Sequence, residues 1–199
     1  MKNSIVTKVT NRIHAKQAGW VFTPKDFLDL GTRSNIDFIL HSLVHKKIIR
    51  NIGRGIYDFP INHSKLGMLS PSTDNILRAI SVQTGEIIQL SGAEAANWLG
   101  LSTQVPAQPI YLTSGNSRKV NIGKEVIHLK HTSITPLNNK SAKTALVIQA
   151  LLYMGKHHID ETIIQTCANQ LSSQQKEDLK LMAEQVPNWL TPIIHNIAA

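Results

Sequence analysis

Cysteine is nearly missing from this chain of 199 residues. Cys167 stands alone, which excludes an intrachain disulfide and a cysteine-based zinc site and suits a reducing cytoplasm. Acids are scarce as well: 13 Asp and Glu face 21 Lys and Arg, for a formal net charge of +8 and a pI near 9.7. Aromatic residues make up 5%, so much of the interior has to be built from Leu and Ile. No apolar run is long enough to span a bilayer, and Asn3 to Lys16 is too polar to supply the apolar stretch of a signal peptide. Walker loops, dinucleotide fingerprints and clusters of metal ligands are all lacking, so an enzyme is not expected and no cofactor is implied.

The basic excess is unevenly spread. Residues 1–60 carry ten Lys and Arg against four Asp, a net of +6, and residues 61–199 carry a net of +2. A basic head on a near-neutral body is the footprint of a nucleic-acid-binding domain joined to a second one. The length allows one large or two small domains.

Residues 23–59 organise the head. Thr23-Pro24 opens a first helix, with Asp26 favourable at its start, Phe27, Leu28 and Leu30 on its apolar side, and Gly31 able to take the positive φ that ends it. Ser34 is read as the cap of a second helix, whose Ile36, Ile39, Leu40, Leu43 and Val44 form one inward stripe. Its other side shows Ser34, Asn35, Phe38, His41, Ser42 and His45. Such a side suits a major-groove reader: Asn pairs with adenine, Ser and His bond bases or phosphates, and Phe touches a thymine methyl. Arg33 stands at the start of the helix for phosphate or guanine, and Lys46-Lys47 follow its end. Ile48 to Ile52 and Ile56 to Phe59 flank Gly53-Arg54-Gly55 and read as a hairpin, with Arg50 on a strand and Arg54 at the tip, suited to a minor groove. Helix, turn, helix and basic hairpin together are the layout of a winged helix-turn-helix. A module that docks protein through the same fold is the other reading.

The rest follows in order. Asn3 to Ala18 reads as an opening helix with Ile5, Val6, Val9 and Ile13 on one face, and Trp20 to Phe22 as an extended link. The domains are expected at 1–62 and 73–199, with a turn-rich linker at 63–72. In the second, Thr73-Asp74 opens a helix through Gln83, Glu86 to Leu90 is a strand, and Ser91 and Glu94 form a capping box before a helix ending at Gly100. Ile110 to Thr113, Arg118 to Ile122 and Glu125 to Lys130 read as strands, with a Gly123-Lys124 turn between the last two. From Ser141 the pattern is helical to the end. The fold class expected is α+β: a winged helix-turn-helix, then a small, mostly antiparallel sheet covered by helices.

Chemistry is hard to find. His41 and His45 have the spacing of metal ligands but no third partner. His128 with His131, and His157 with His158, are no better supplied. Ser91-Gly92 lacks the preceding Gly of a nucleophile elbow.

Two blocks carry a resemblance. One runs from Leu30-Gly31-Thr32-Arg33 to Tyr57-Asp58-Phe59-Pro60 and contains Ile49-Arg50-Asn51-Ile52-Gly53-Arg54-Gly55-Ile56-Tyr57. The other runs from Leu90-Ser91-Gly92-Ala93-Glu94-Ala95-Ala96-Asn97-Trp98-Leu99-Gly100-Leu101 through Gln104-Val105-Pro106-Ala107 to Tyr111-Leu112-Thr113-Ser114-Gly115. Together they resemble the AbiEi-like antitoxins and transcriptional regulators of type IV toxin-antitoxin systems. The resemblance implies an N-terminal winged helix that binds inverted repeats in its own promoter and represses the operon, and a C-terminal domain that counters a nucleotidyltransferase-like toxin; two copies, weakly dimerised or cooperating on DNA, are expected because one recognition helix covers only a short half-site. It carries recognition positions onto Arg33, Ser34, Asn35, Phe38, His41 and Ser42, with Arg50 and Arg54 on the wing. A regulator without a toxin partner fits the same residues.

Overall fold

The structure, a computed structural model, describes residues 4–104, 109–123, 125–132 and 142–199. Asn3 of the expected first helix, Val105-Pro106-Ala107 of the second block, Lys124 and Ser141 therefore lie outside the described residues. The fold is mixed α+β and divides into two compact units, residues 1–88 with 120–126, and residues 89–119 with 127–199.

In the first unit Ser4 caps α1 (Ile5–Ala15), and Val9 and Ile13 turn inward while Val6 stays exposed. The next segment forms a strand rather than a link: β1 (Val21–Phe22) pairs antiparallel with β3 (Ile56–Asp58), which also pairs with β2 (Arg50–Gly53), giving the order β1-β3-β2. Thr23-Pro24 begins not an α-helix but one 3-10 turn, Pro24–Phe27. Asp26 closes it by accepting from the Thr23 N–H at 2.8 Å and the Thr23 hydroxyl at 3.1 Å, so its role is a reciprocal cap. Gly31 has no positive φ. It lies close to α1, where a Cβ would come within 3.3 Å of Ile5 Cδ1.

Helix α2 (Arg33–His45) is capped by Thr32, two residues before the Ser expected, whose hydroxyl accepts from the Asn35 N–H at 3.5 Å. Its stripe of Ile36, Ile39, Leu40 and Leu43 joins Val9, Ile13, Trp20, Phe22, Phe27 and Ile49 in one core. The rings meet directly: Phe27 stands edge-on to Phe22 with centroids 5.5 Å apart, and Tyr57 stacks on Phe22 at 6.1 Å.

Residues expected to be a linker instead contain a small hairpin, β4 (Asn62–His63) with β5 (Gly67–Met68). The chain divides later than 63–72, and α3 (Thr73–Thr84), capped by Ser72, stays in the first unit. Hydrogen bonds explain this. Asn75 donates to the Gly19 carbonyl at 3.0 Å, Arg78 to the Val21 carbonyl at 2.5 Å, and Gln83 to the Arg54 carbonyl at 2.7 Å. Residues 120–126 belong here too: the Gly123 N–H donates to the Ile52 carbonyl at 2.7 Å, beside Gly53, where a Cβ would lie 2.8 Å from Ile122 Cδ1.

The second sheet has the order β6-β7-β9-β8, with β6 at Ile88–Leu90, β7 at Ile110–Thr113, β8 at Arg118–Ile122 and β9 at Glu125–His131. The expectation of a mostly antiparallel sheet meets a parallel pair, since Ile110 lies opposite His128 and Thr113 opposite His131. In the second unit Ser91 caps α4 (Gly92–Trp98), which packs along α5 (Ala142–Met154). Helices α6 (Glu161–Gln170), α7 (Ser173–Leu181) and α8 (Thr191–Ile197) complete a core of Ala, Val, Ile, Leu, Met and the buried Cys167.

Candidate nucleic-acid interface

A helix with 3.6 residues per turn that buries Ile36, Ile39, Leu40 and Leu43 has to turn residues 34, 35, 38, 41 and 45 outward. Ser34, Asn35, Phe38, His41 and His45 are indeed exposed and Ser42 is half-buried, so the structure gathers all of these positions on one side of α2. Phe38 is 76% exposed. His41 and His45 touch edge to face with ring centroids 4.5 Å apart. Among the described residues no group of three or more His, Cys, Asp or Glu could hold a metal ion.

The charges sort into two kinds. Every acid of residues 1–60 has a partner within the first unit: Asp26 holds Thr23, Asp29 holds Arg12, Asp37 holds Arg33 and Asp58 holds Arg50. Arg33 binds both Asp37 oxygens through Nε at 2.9 Å, one helical turn away, which neutralises the acid on α2. Arg50 differs from the wing role expected of it. It donates to both oxygens of Asp58, at 2.9 and 2.5 Å, and to the Leu69 carbonyl at 2.7 Å, and the Asp58 carboxylate is 1% exposed. The hydrogen bonds that Arg50 donates to Asp58 raise the guanidinium above its usual range against the opposing effect of burial, so Arg50 fastens the strand pair and the chain after it.

Lys46, Lys47 and Arg54 are exposed. Arg54 sits in the turn between β2 and β3, where Gln83 fixes its carbonyl. Lys47 adopts a left-handed φ of +58°. Its N–H donates to the Val44 carbonyl at 2.9 Å and the Ile48 N–H to the Leu43 carbonyl at 3.0 Å, the two bonds of a Schellman helix end. Lys46 is among the positions expected to contact DNA, and Lys47 stands next to it at this helix end. Burial first, then the nearby charge of Asp37, pushes the Tyr57 phenol up.

Counted by unit, the first carries 13 Lys and Arg against seven Asp and Glu, a net of +6, and the second a net of +2. In the second unit Trp98 of the Ala-Asn-Trp-Leu-Gly-Leu run is 61% exposed, with Lys143 Nζ 6.0 Å from its ring centroid. Among the described residues no helix is long and apolar enough to cross a membrane.

No curated protein matches the chain. A family of unknown function, DUF6088, matches residues 8–179, which include both the α2 face and the Trp98 run, and the chain belongs to that family.

Proposed function

We infer that the chain is a DNA-binding transcriptional regulator whose winged helix-turn-helix, residues 4–59, reads the major groove with α2 and represses its own promoter. The observation that carries this reading is the exposed side of α2. Ser34, Asn35, Phe38 and His41 stand there together, and the one acid of the helix, Asp37, is matched by Arg33. Helix, strand, short helix, helix and hairpin, with the sheet order β1-β3-β2, support the winged-helix reading, in which the recognition helix enters the groove and the hairpin flanks it. Lys46, Lys47 and Arg54 then supply phosphate or minor-groove contacts, and Asn35 reads a base. One such helix covers a short half-site, so two copies on an inverted repeat, dimerised or cooperating on the DNA, fit the reading.

By the resemblance of both blocks to AbiEi-like proteins, the proposal extends to an antitoxin role, with the second unit countering a nucleotidyltransferase-like toxin. A neighbouring reading frame of that type would support the extension, and its absence would leave a regulator that acts without a toxin.

The test is fluorescence anisotropy of the full chain with a labelled duplex from upstream of its own gene and with a scrambled duplex, at two salt concentrations. The full chain is used because α3 and residues 120–126 hold the hairpin. Tighter, salt-sensitive binding to the upstream duplex is expected. Equal binding to both duplexes would remove the repressor reading, and absence of binding at low salt would leave protein docking as the function of the fold.

A further inference from the structure

Phe38 is 76% exposed, the largest exposure among the large apolar side chains of the described residues. Its helical neighbours at three and four positions on either side are Ser34, Asn35, His41 and Ser42. All four are polar, so the ring is an isolated apolar spot inside a hydrogen-bonding surround. A protein-docking patch has a different make-up, with an apolar centre made of several contiguous side chains and a polar rim. The edge of a T·A pair in the major groove matches the observed pattern, because the thymine methyl stands beside an acceptor, the adenine amino group and N7. The surrounding charge agrees: the unit carries +6, and Asp37 next to Phe38 is matched by Arg33.

We propose that Phe38 is a specificity residue that reads the 5-methyl group of thymine, so that the half-site bound by this protein contains thymine at one or two fixed positions facing α2. The proposal rests on the DNA-binding reading above and narrows its ligand to methyl-bearing duplex. Asn35, one turn earlier on the same side, is the partner for a neighbouring base edge.

Deoxyuridine tests this, because it keeps the Watson-Crick pairing of thymidine and lacks only the methyl. Duplexes are selected from a random library with the full chain, and each thymidine of the winning sequence is then replaced by deoxyuridine in turn. The wild-type protein should bind about four-fold more weakly for each contacted methyl removed, the loss expected for one buried group of that size. Phe38→Ala should bind the thymidine duplex with the weakened affinity and show no further loss with deoxyuridine. Asn35→Ala should keep the deoxyuridine effect. An exposed ring contributes little to folding, so the thermal melt of Phe38→Ala should match the wild type and serves as the control. A selected duplex that tolerates deoxyuridine at every position, or a Phe38→Ala protein as sensitive to it as the wild type, overturns methyl reading and leaves DNA binding standing. A library that yields no bound duplex at low salt overturns both.

Discussion

In the first unit the core turns on Trp20, Phe22 and Phe27, and arginine-aspartate pairs tie its elements together; in the second the buried cluster, among the described residues, consists of Ala, Val, Ile, Leu, Met and Cys side chains, with the half-buried Trp189 packed against it. The chain has ten aromatic residues, and six lie in residues 1–60. The difference follows from the shape of the elements. The first unit packs helices against strands of only two to four residues, β1 to β3, and a few large rings fill the space between helix and strand. The buried cluster of the second unit is drawn from helices α4 to α8 and the turns between them, where aliphatic side chains interdigitate helix on helix. Ion pairs add a second contrast. In the first unit they consume arginines, which leaves lysines and Arg54 as the exposed cations around α2.

The sharpest way to break this contrast is to remove the buried carboxylate. Asp58→Asn leaves Arg50 half-buried without its counter-charge and should destabilise the protein by about 2–4 kcal/mol in denaturant titration. Asp29→Asn removes the other arginine's partner at an exposed position and should cost much less. Hydrogen bonding to Arg12 holds the Asp29 carboxyl below its usual range, so what this pair contributes is present at neutral pH and is lost as pH falls through that lowered value. Equal losses for the two variants would mean that burial does not separate the pairs.

For the second unit the corresponding test is packing. Gly92 begins α4 against α5, where a Cβ would collide with the Tyr153 Cβ and lie 2.7 Å from the Gln149 carbonyl. Backbone and Cβ cannot swing aside as a side-chain tip can. Gly92→Ala should therefore cost about 1–3 kcal/mol, read as a lower denaturation midpoint at unchanged slope. A neutral result would mean that α4 and α5 can separate freely, and the contrast between a stapled unit and a close-packed one would fail.

Cys167 gives a weaker probe of the same core. Burial pushes its thiol up to about 11, so below the ordinary thiol range the folded and unfolded chains are both protonated there. As pH rises past that range the unfolded chain loses the proton first, and stability should fall by at most about 3 kcal/mol before the folded thiol titrates near 11. Cys167→Ala should lack this part of the alkaline slope, which the difference between the two denaturation profiles would show. Alkylation of Cys167 at neutral pH should be slow until the core opens.

How far the chain could be read depended on the range of the interactions. The stripe of Ile36, Ile39, Leu40 and Leu43 and the turn at Arg54 are local patterns, and both stand where periodicity and glycines put them. Thr32 and Ser34 are both good caps, and it is Thr32 that takes the extended cap conformation, with the helix beginning at Arg33. The strand at Val21 exists because Asp58 lies opposite it, far along the sequence, and the parallel pairing of Ile110 with His128 is equally non-local. At the candidate interface the exposed side of α2 was legible from its periodicity. The fate of Arg50 was not, because Asp58 eight residues on is buried only by the packing of the whole unit.

The smallest effect separates structure from function most cleanly. At the left-handed position that ends α2, glycine is the residue with no steric penalty, and here a lysine occupies it with φ +58°. Lys47→Gly should stabilise the fold by about 0.5–1 kcal/mol, because the Schellman bonds remain and the strain of a Cβ in that conformation is removed. If Lys47 touches a phosphate, as the proposed function has it, the same change should weaken binding to all duplexes alike and lower the slope of log affinity against log salt by about 0.9. Arg50→Lys serves as the contrast, since it should lose stability and leave the salt slope unchanged. Stabilisation with no change in salt dependence would assign Lys47 no part in the interface, and the phosphate contacts would then have to come from Lys46 and Arg54.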